Sequence, residues 1–145
     1  MTEPVAANWD DIPSEVVRRG VSRKGFGTSD VILVMNEIDP VIDVKPHKHD
    51  DFDQIATIVS GEAIYHVGDV AHRVRPGSLL LIPAGVEHYI EPLGTEPVQN
   101  LDVFAPARSD YTHLLHWMPR PIEGANDADD GRLDSTDRQQ GEDSR

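Results

Sequence analysis

The chain is predicted to fold as an all-β sandwich or barrel built from roughly eight short strands. Three observations lead there. Its middle breaks into short pieces rich in valine, isoleucine and leucine. Turn-forming residues separate those pieces at close intervals, and almost no stretch repeats with helical period. The expected strands are Asp30–Ile38, Ile42–Lys45, Gln54–Val59, Glu62–Val67, Ala71–Val74, Ser78–Ile82, Glu87–Ile90 and Val98–Phe104. Between them Ser60-Gly61, Val67-Gly68-Asp69, Arg75-Pro76-Gly77 and Pro83-Ala84-Gly85 each offer a proline-set φ or a residue tolerant of positive φ.

The flanks read differently. Residues 1–29 are expected to form an N-terminal arm with a minor helical turn, Ser14–Arg19, capped by Ser14 after Pro13. Residues 30–121 would form the barrel. Tyr111–Met118 carries Leu114, Leu115, Trp117 and Met118, a pattern that suits either a last strand or a short helix packed across the barrel. From Glu123 the chain turns rich in Asp, Gly, Ser and Gln, with Leu133 its one large apolar residue. Such a segment buries too little surface to offset its ordering entropy, so a disordered acidic tail over 122–145 is expected.

With 145 residues, one domain suffices. Thirteen basic against twenty-six acidic residues give a net charge of −13. That balance opposes a phosphate backbone, and no basic stretch with interleaved aromatics offsets it, so nucleic acid is not an expected partner. Cysteine is absent, which removes disulfides, thiolate nucleophiles and zinc–sulfur sites. The N-terminus lacks a basic start followed by an apolar run, and no apolar run approaches the roughly 18 residues that span a bilayer. A soluble cytoplasmic protein with no membrane partner is the expectation.

Three of the seven histidines form a constellation. His47 and His49 lie two apart in PHKHDDFDQ, and on an extended strand such residues share a face. Gln54 follows a turn-like DDFD, and His88 comes just after Pro83-Ala84-Gly85. An isolated His-x-His is weak evidence; the fixed distances to the other two strengthen it. Three imidazoles and one oxygen suit a single divalent ion such as Fe, Ni, Zn, Mn or Cu.

Residues 47–61 resemble the first cupin motif in His47, His49, Gln54 and Gly61. Residues 77–88 resemble the second in Gly77, Pro83, Gly85 and His88. The resemblance implies a jelly-roll (double-stranded β-helix) barrel holding one metal through His47, His49, Gln54 and His88. Three positions depart from it. Val41 and Pro92 stand where the motifs usually carry Gly and Asn, and Gln54 replaces the usual Glu. A neutral amide leaves the charge of the ion uncompensated, which favours an anionic substrate and weakens the hold on the metal.

A second cluster follows in Leu101-Asp102-Val103-Phe104-Ala105-Pro106-Ala107-Arg108. Asp102 and Phe104 share a strand face. If that face is inward, a carboxylate stands near the metal as a proton carrier, and Arg108 can clamp a substrate carboxylate. Spacing alone equally fits Asp102 in solvent, Phe104 in the core and Arg108 paired with Asp110. With Asp110 and Tyr111 added, the segment resembles the KdgF-type cupins that linearise unsaturated monouronates in pectin and alginate breakdown. That resemblance implies Asp102, Phe104 and Arg108 as site residues and a small acidic substrate. Tyr65, His66, Tyr89 and Lys45 are weaker candidates, and His72 and Arg73 fit an exposed hairpin. Three functions remain open: a non-redox isomerase, lyase or ring-opening enzyme, a metal-dependent dioxygenase, and a ligand-binding module without turnover. Cupins of this size resemble homodimers, with Trp9 and Trp117 as candidate interface residues.

Overall fold

The computed structural model describes residues 3–41 and 45–119. Two antiparallel sheets enclose the core. The larger has the order β1-β2-β3-β9-β4-β7, and the smaller has β6-β5-β8. The strands are β1 Glu15–Arg18, β2 Val21–Gly27, β3 Ile32–Ile38, β4 Gln54–Ser60 and β5 Glu62–Val67. They continue as β6 Val70–Val74, β7 Leu79–Ile82, β8 His88–Leu93 and β9 Val98–Phe104. The expected strand at Ile42–Lys45 falls largely on residues 42–44, and the acidic tail on residues 122–145; both lie outside the described residues.

The N-terminal expectation needs correction. Ser14–Arg19 is not helical: Glu15–Arg18 is β1, and the single helical turn lies earlier, at Trp9–Asp11. Asn8 caps that turn, its side chain accepting from Asp10 N at 2.8 Å. The segment before residue 30 also supplies β2, which pairs with β3 along its whole length, Val21↔Ile38 to Gly27↔Ile32. Paired strand edges satisfy the backbone groups that a lone helical turn would leave to water. Of the two alternatives for Tyr111–Met118, the structure has a short 3-10 helix, Ser109–Leu115.

Alternation along β9 sets the interior. Val98, Asn100, Asp102 and Phe104 point inward, and across the ladder they meet Ile38, Asn36, Val34 and Ile32 of β3. Two apolar clusters result. One lies between the sheets around Ala56, Ile58, Ala63, Tyr65, Val74, Ile82 and Val98. The other joins Ile32, Val34 and Phe104 to Leu114 and Leu115 of the 3-10 helix. A polar band, Asn36, Asn100, Asp102 and Gln54, divides them.

Three glycines leave no room for a Cβ; at Gly27 it would lie 2.3 Å from the Val31 carbonyl oxygen. Gly61 has φ +84°, and a Cβ there would lie 2.6 Å from the Pro97 carbonyl oxygen. At Gly25 a Cβ would lie 2.6 Å from Leu114 Cβ, so the 3-10 helix rests directly on the backbone of β2. Trp117 fastens the same contact: its indole Nε1 donates to Gly25 O at 2.9 Å and its ring lies 6.1 Å from Phe26. Trp117, a candidate for contact between protomers, thus packs on its own chain. Pro92 sits in β8, an edge strand, where the missing N–H costs no ladder bond. Val41 stands exposed in a turn. Among the described residues no helix is long and apolar enough to cross a membrane.

Candidate metal centre and pocket

The two histidine segments are joined by their backbones. His47 N donates to His88 O at 3.0 Å and His88 N to His47 O at 2.8 Å. Gly85, whose φ is +81°, donates its N–H to His49 O at 2.7 Å, and Ala84 N donates to Asp53 Oδ1 at 2.9 Å. These bonds hold the three imidazoles in one group. Ring centroids are 4.2 Å apart for His47 and His88 and 5.3 Å for each pair with His49. The ring nitrogens that could ligate lie within 4.8 Å of one another.

The polar atoms left without partners fit a cation. His88 Nδ1 donates to Val86 O at 2.9 Å, which leaves the lone pair on Nε2, and that nitrogen is buried and unpartnered. His47 Nδ1 bonds the Lys45 carbonyl at 3.3 Å, fixing its tautomer the same way. Gln54 helps to hold the Asp102 carboxyl pKa down, and its Oε1 too is buried without a partner. Orphaned buried atoms cost about 1–3 kcal/mol each, and a shared ligand removes that cost. Burial holds the pKa of all three histidines below the usual imidazole value. At His49 burial and the neighbouring Arg108 charge bring it to about 4. Neutral imidazoles are the form that binds a metal.

Asp102 faces the pocket. Asn36 Nδ2 donates to its Oδ2 and Asn100 Nδ2 to its Oδ1, both at 2.9 Å. Burial raises its carboxyl to about 6, against the opposing pull of Asn100, Gln54, Asn36 and the Arg108 charge. It lies on the wall of a cavity of about 370 Å³ that also reaches His47, His49, Gln54, Tyr65 and Lys45.

Phe104 and Arg108 are placed otherwise. Phe104 is a core residue, 1% exposed, with one face of contact to the site: its ring meets His49 edge-on at 5.9 Å. Arg108 does not border the cavity among its described lining residues. Its guanidinium pairs with Asp110, donates to His49 Nδ1 at 2.9 Å, and packs over Phe52 and Tyr111 at 4.7 and 4.2 Å. A guanidinium can only donate, so it faces a lone pair that a metal would also seek.

Of the weaker candidates, Tyr65 points inward and stacks near His88, 6.4 Å between centroids. His66 points away, stacked on Tyr89 and bonded to Glu91 at 2.6 Å. His72 and Arg73 lie on the exposed strand β6. The sequence reading missed Asn36 and Asn100, which hold Asp102. Asn100 carried a usable signal, two residues before Asp102 on the same face; Asn36 showed only as a polar break in an apolar strand. Arg18, which borders the cavity from β1, was missed because its segment was read as helical.

A cupin-domain family model matches residues 35–104, the stretch that carries every candidate ligand. The chain has the cupin fold. Solved cupin structures superpose closely on the barrel. KdgF from Halomonas sp. aligns with TM-score 0.67 and 24% identity over 74% of this chain and 98% of that one. An RmlC-like cupin from Shewanella frigidimarina aligns with TM-score 0.66 and 22% identity over 75% and 96%. A predicted oxalate decarboxylase from Thermotoga maritima gives 0.61 and 19% over 70% and 98%. No curated protein matches the sequence. The chain therefore shares its barrel with proteins of differing kinds, and at these identities the likeness speaks for the fold.

Proposed function

We propose that this cupin is a metal-dependent, non-redox enzyme that isomerises, cleaves or ring-opens a small carboxylated or enolic substrate, with an unsaturated uronate as the model compound. One observation carries the reading. A carboxylate raised to about 6 stands in the cavity wall together with Gln54, whose buried, unpartnered Oε1 belongs to the proposed metal set.

His47, His49, Gln54 and His88 would hold the ion. When bound, it would supply Lewis acidity toward a carbonyl or hydroxyl oxygen of the substrate. The protein does the rest. Asp102, kept in place by Asn36 and Asn100, takes a proton at one carboxylate oxygen and returns it elsewhere on the substrate. A carboxyl near 6 does both at neutral pH, because neither protonation state is strongly preferred. Tyr65 and the apolar cluster behind it close the inner side of the cavity to bulk water. The likeness to KdgF supports a uronate as the first substrate to try.

The test is elemental analysis of the purified protein, followed by turnover of 4,5-unsaturated galacturonate with an oxygen electrode in the cell. Stoichiometric metal and substrate loss without oxygen uptake is the expected result. Oxygen consumed in step with substrate would make the protein an oxygenase. Metal bound with no turnover of any oxyacid would make it a binding module.

A further inference from the structure

The cation that meets the substrate carboxylate comes from an unexpected part of the chain. We infer that Arg18, on the N-terminal strand β1, is the specificity-determining residue that binds the substrate's carboxylate, in place of Arg108. The inference rests on the proposed acidic substrate and names the side chain that selects it.

A β-bulge aims Arg18 at the cavity. In the β1–β2 ladder Val16 pairs with Ser22, but Arg18 pairs with Val21, so one extra residue lies between them. Strict alternation from the inward Glu15 would turn Arg18 to the outer face. The bulge restores it inward, and Val17 and Arg18 both border the cavity in consequence. Bulges of this kind re-aim a side chain at the cost of one unpaired residue.

The guanidinium that arrives there is uncommitted. Arg18 Nε is buried without a hydrogen-bond partner, and the side chain makes no hydrogen bond or ion pair among the described residues. It borders the same cavity as His47 and His49. The other cations nearby are committed or exposed. Arg23 is bound to Glu15 at 2.7 Å and lies over the Tyr111 ring at 4.7 Å. Arg108 is held by Asp110 and His49 and does not border the cavity. Lys45 borders it, but as an exposed point charge at the rim. A planar fork is the better match for a carboxylate, and a fork enclosed by protein binds it more strongly than one in water. At about 370 Å³ the cavity suits a molecule of monosaccharide size.

Equilibrium binding of two stable probes, D-galacturonate and its uncharged methyl ester, tests this on metal-loaded protein by calorimetry. The wild type should bind the acid at least tenfold more tightly than the ester. Arg18→Gln should abolish that preference while the ester's affinity stays within about twofold, and Arg18→Lys should restore part of it. Arg108→Gln and Lys45→Gln should each keep the preference. Because β1 is an edge strand, melting curves accompany each variant, and Arg18→Lys serves as the folded comparison. The inference falls if the wild type does not distinguish the probes, if Arg18→Gln weakens both equally, or if Arg108→Gln or Lys45→Gln removes the preference instead. Turnover is a separate readout: a preference lost in Arg18→Gln with no ring opening in any form would keep Arg18 and discard the proposed reaction.

Discussion

The pocket has one wall clamped between neighbouring segments and another that hangs from a sheet edge. On the histidine wall, reciprocal backbone bonds tie His47 to His88, Gly85 ties back to His49, and Gln54 lies in β4 between β9 and β7. On the opposite wall, Arg18 lies in β1, which pairs with β2 alone. Beyond that ladder, side chains join the wall to the barrel: Glu15 bonds Arg23 at 2.7 Å and His113 at 3.0 Å, and Lys24 Nζ donates to Trp9 O at 2.7 Å. The contrast matches the demands on each. Several ligands converging on one ion tolerate little displacement, whereas a cation that meets a carboxylate can adjust. Motion, if measured by hydrogen exchange, should concentrate in β1 and spare β4 and β8.

Substitutions can break this contrast or sharpen it. The largest effect is expected from the clamped wall: His88→Ala should reduce metal affinity by at least about a hundredfold, read by competition with a chelator, since it deletes a buried donor already aimed at the site. Retained stoichiometric metal would show that the wall's order serves something else. Asp102→Asn comes next. It preserves the hydrogen-bonded shape near Asn36 and Asn100 but removes the proton carrier, so turnover should fall roughly 10²–10⁴-fold with metal content unchanged. Arg108→Gln should have a smaller effect of opposite sign. It removes a positive charge that competes for the His49 lone pair, so metal affinity should rise by about three- to tenfold.

The smallest effect belongs to the hanging wall and depends on pH. Burial would push the Glu15 carboxyl up, but hydrogen bonds from Arg23 and His113 and their charges outweigh it, so its pKa lies below the ordinary 4.5. A group lowered on folding contributes stability above its unfolded pKa and loses it as pH falls through the folded value. Glu15→Gln should therefore lower the melting temperature slightly at pH 7 and converge with the wild type as the pH falls below the ordinary 4.5 and through the lowered folded value. A gap that persists in acid would assign the loss to packing instead of charge.

The histidine wall was the legible one. Its residues lie at short, fixed spacings because turns and strand alternation set their positions locally, and β5 and β9 coincide with the expected Glu62–Val67 and Val98–Phe104. The hanging wall was misread. Pro13-Ser14 followed by a charged stretch looks like a helix start, yet pairing with β2, itself paired to β3, decides the outcome, and such pairing is tertiary. The bulge that turns Arg18 inward leaves no trace in the residue order. Arg108 shows the converse. Its motif was visible, but the aromatic enclosure of Phe52, Phe104 and Tyr111 draws on three separate segments, which spacing along one strand cannot foresee.

Gly25 connects these walls over a longer path. The hydrogen it carries in place of a methyl group sets how deeply Leu114 can seat, and the 3-10 helix bearing Leu114 begins directly after Arg108. One added carbon on β2 would act as a shim beneath that helix. It would lift the segment that begins beside the guanidinium on His49, so a change far from the histidine cluster would still be felt at His49.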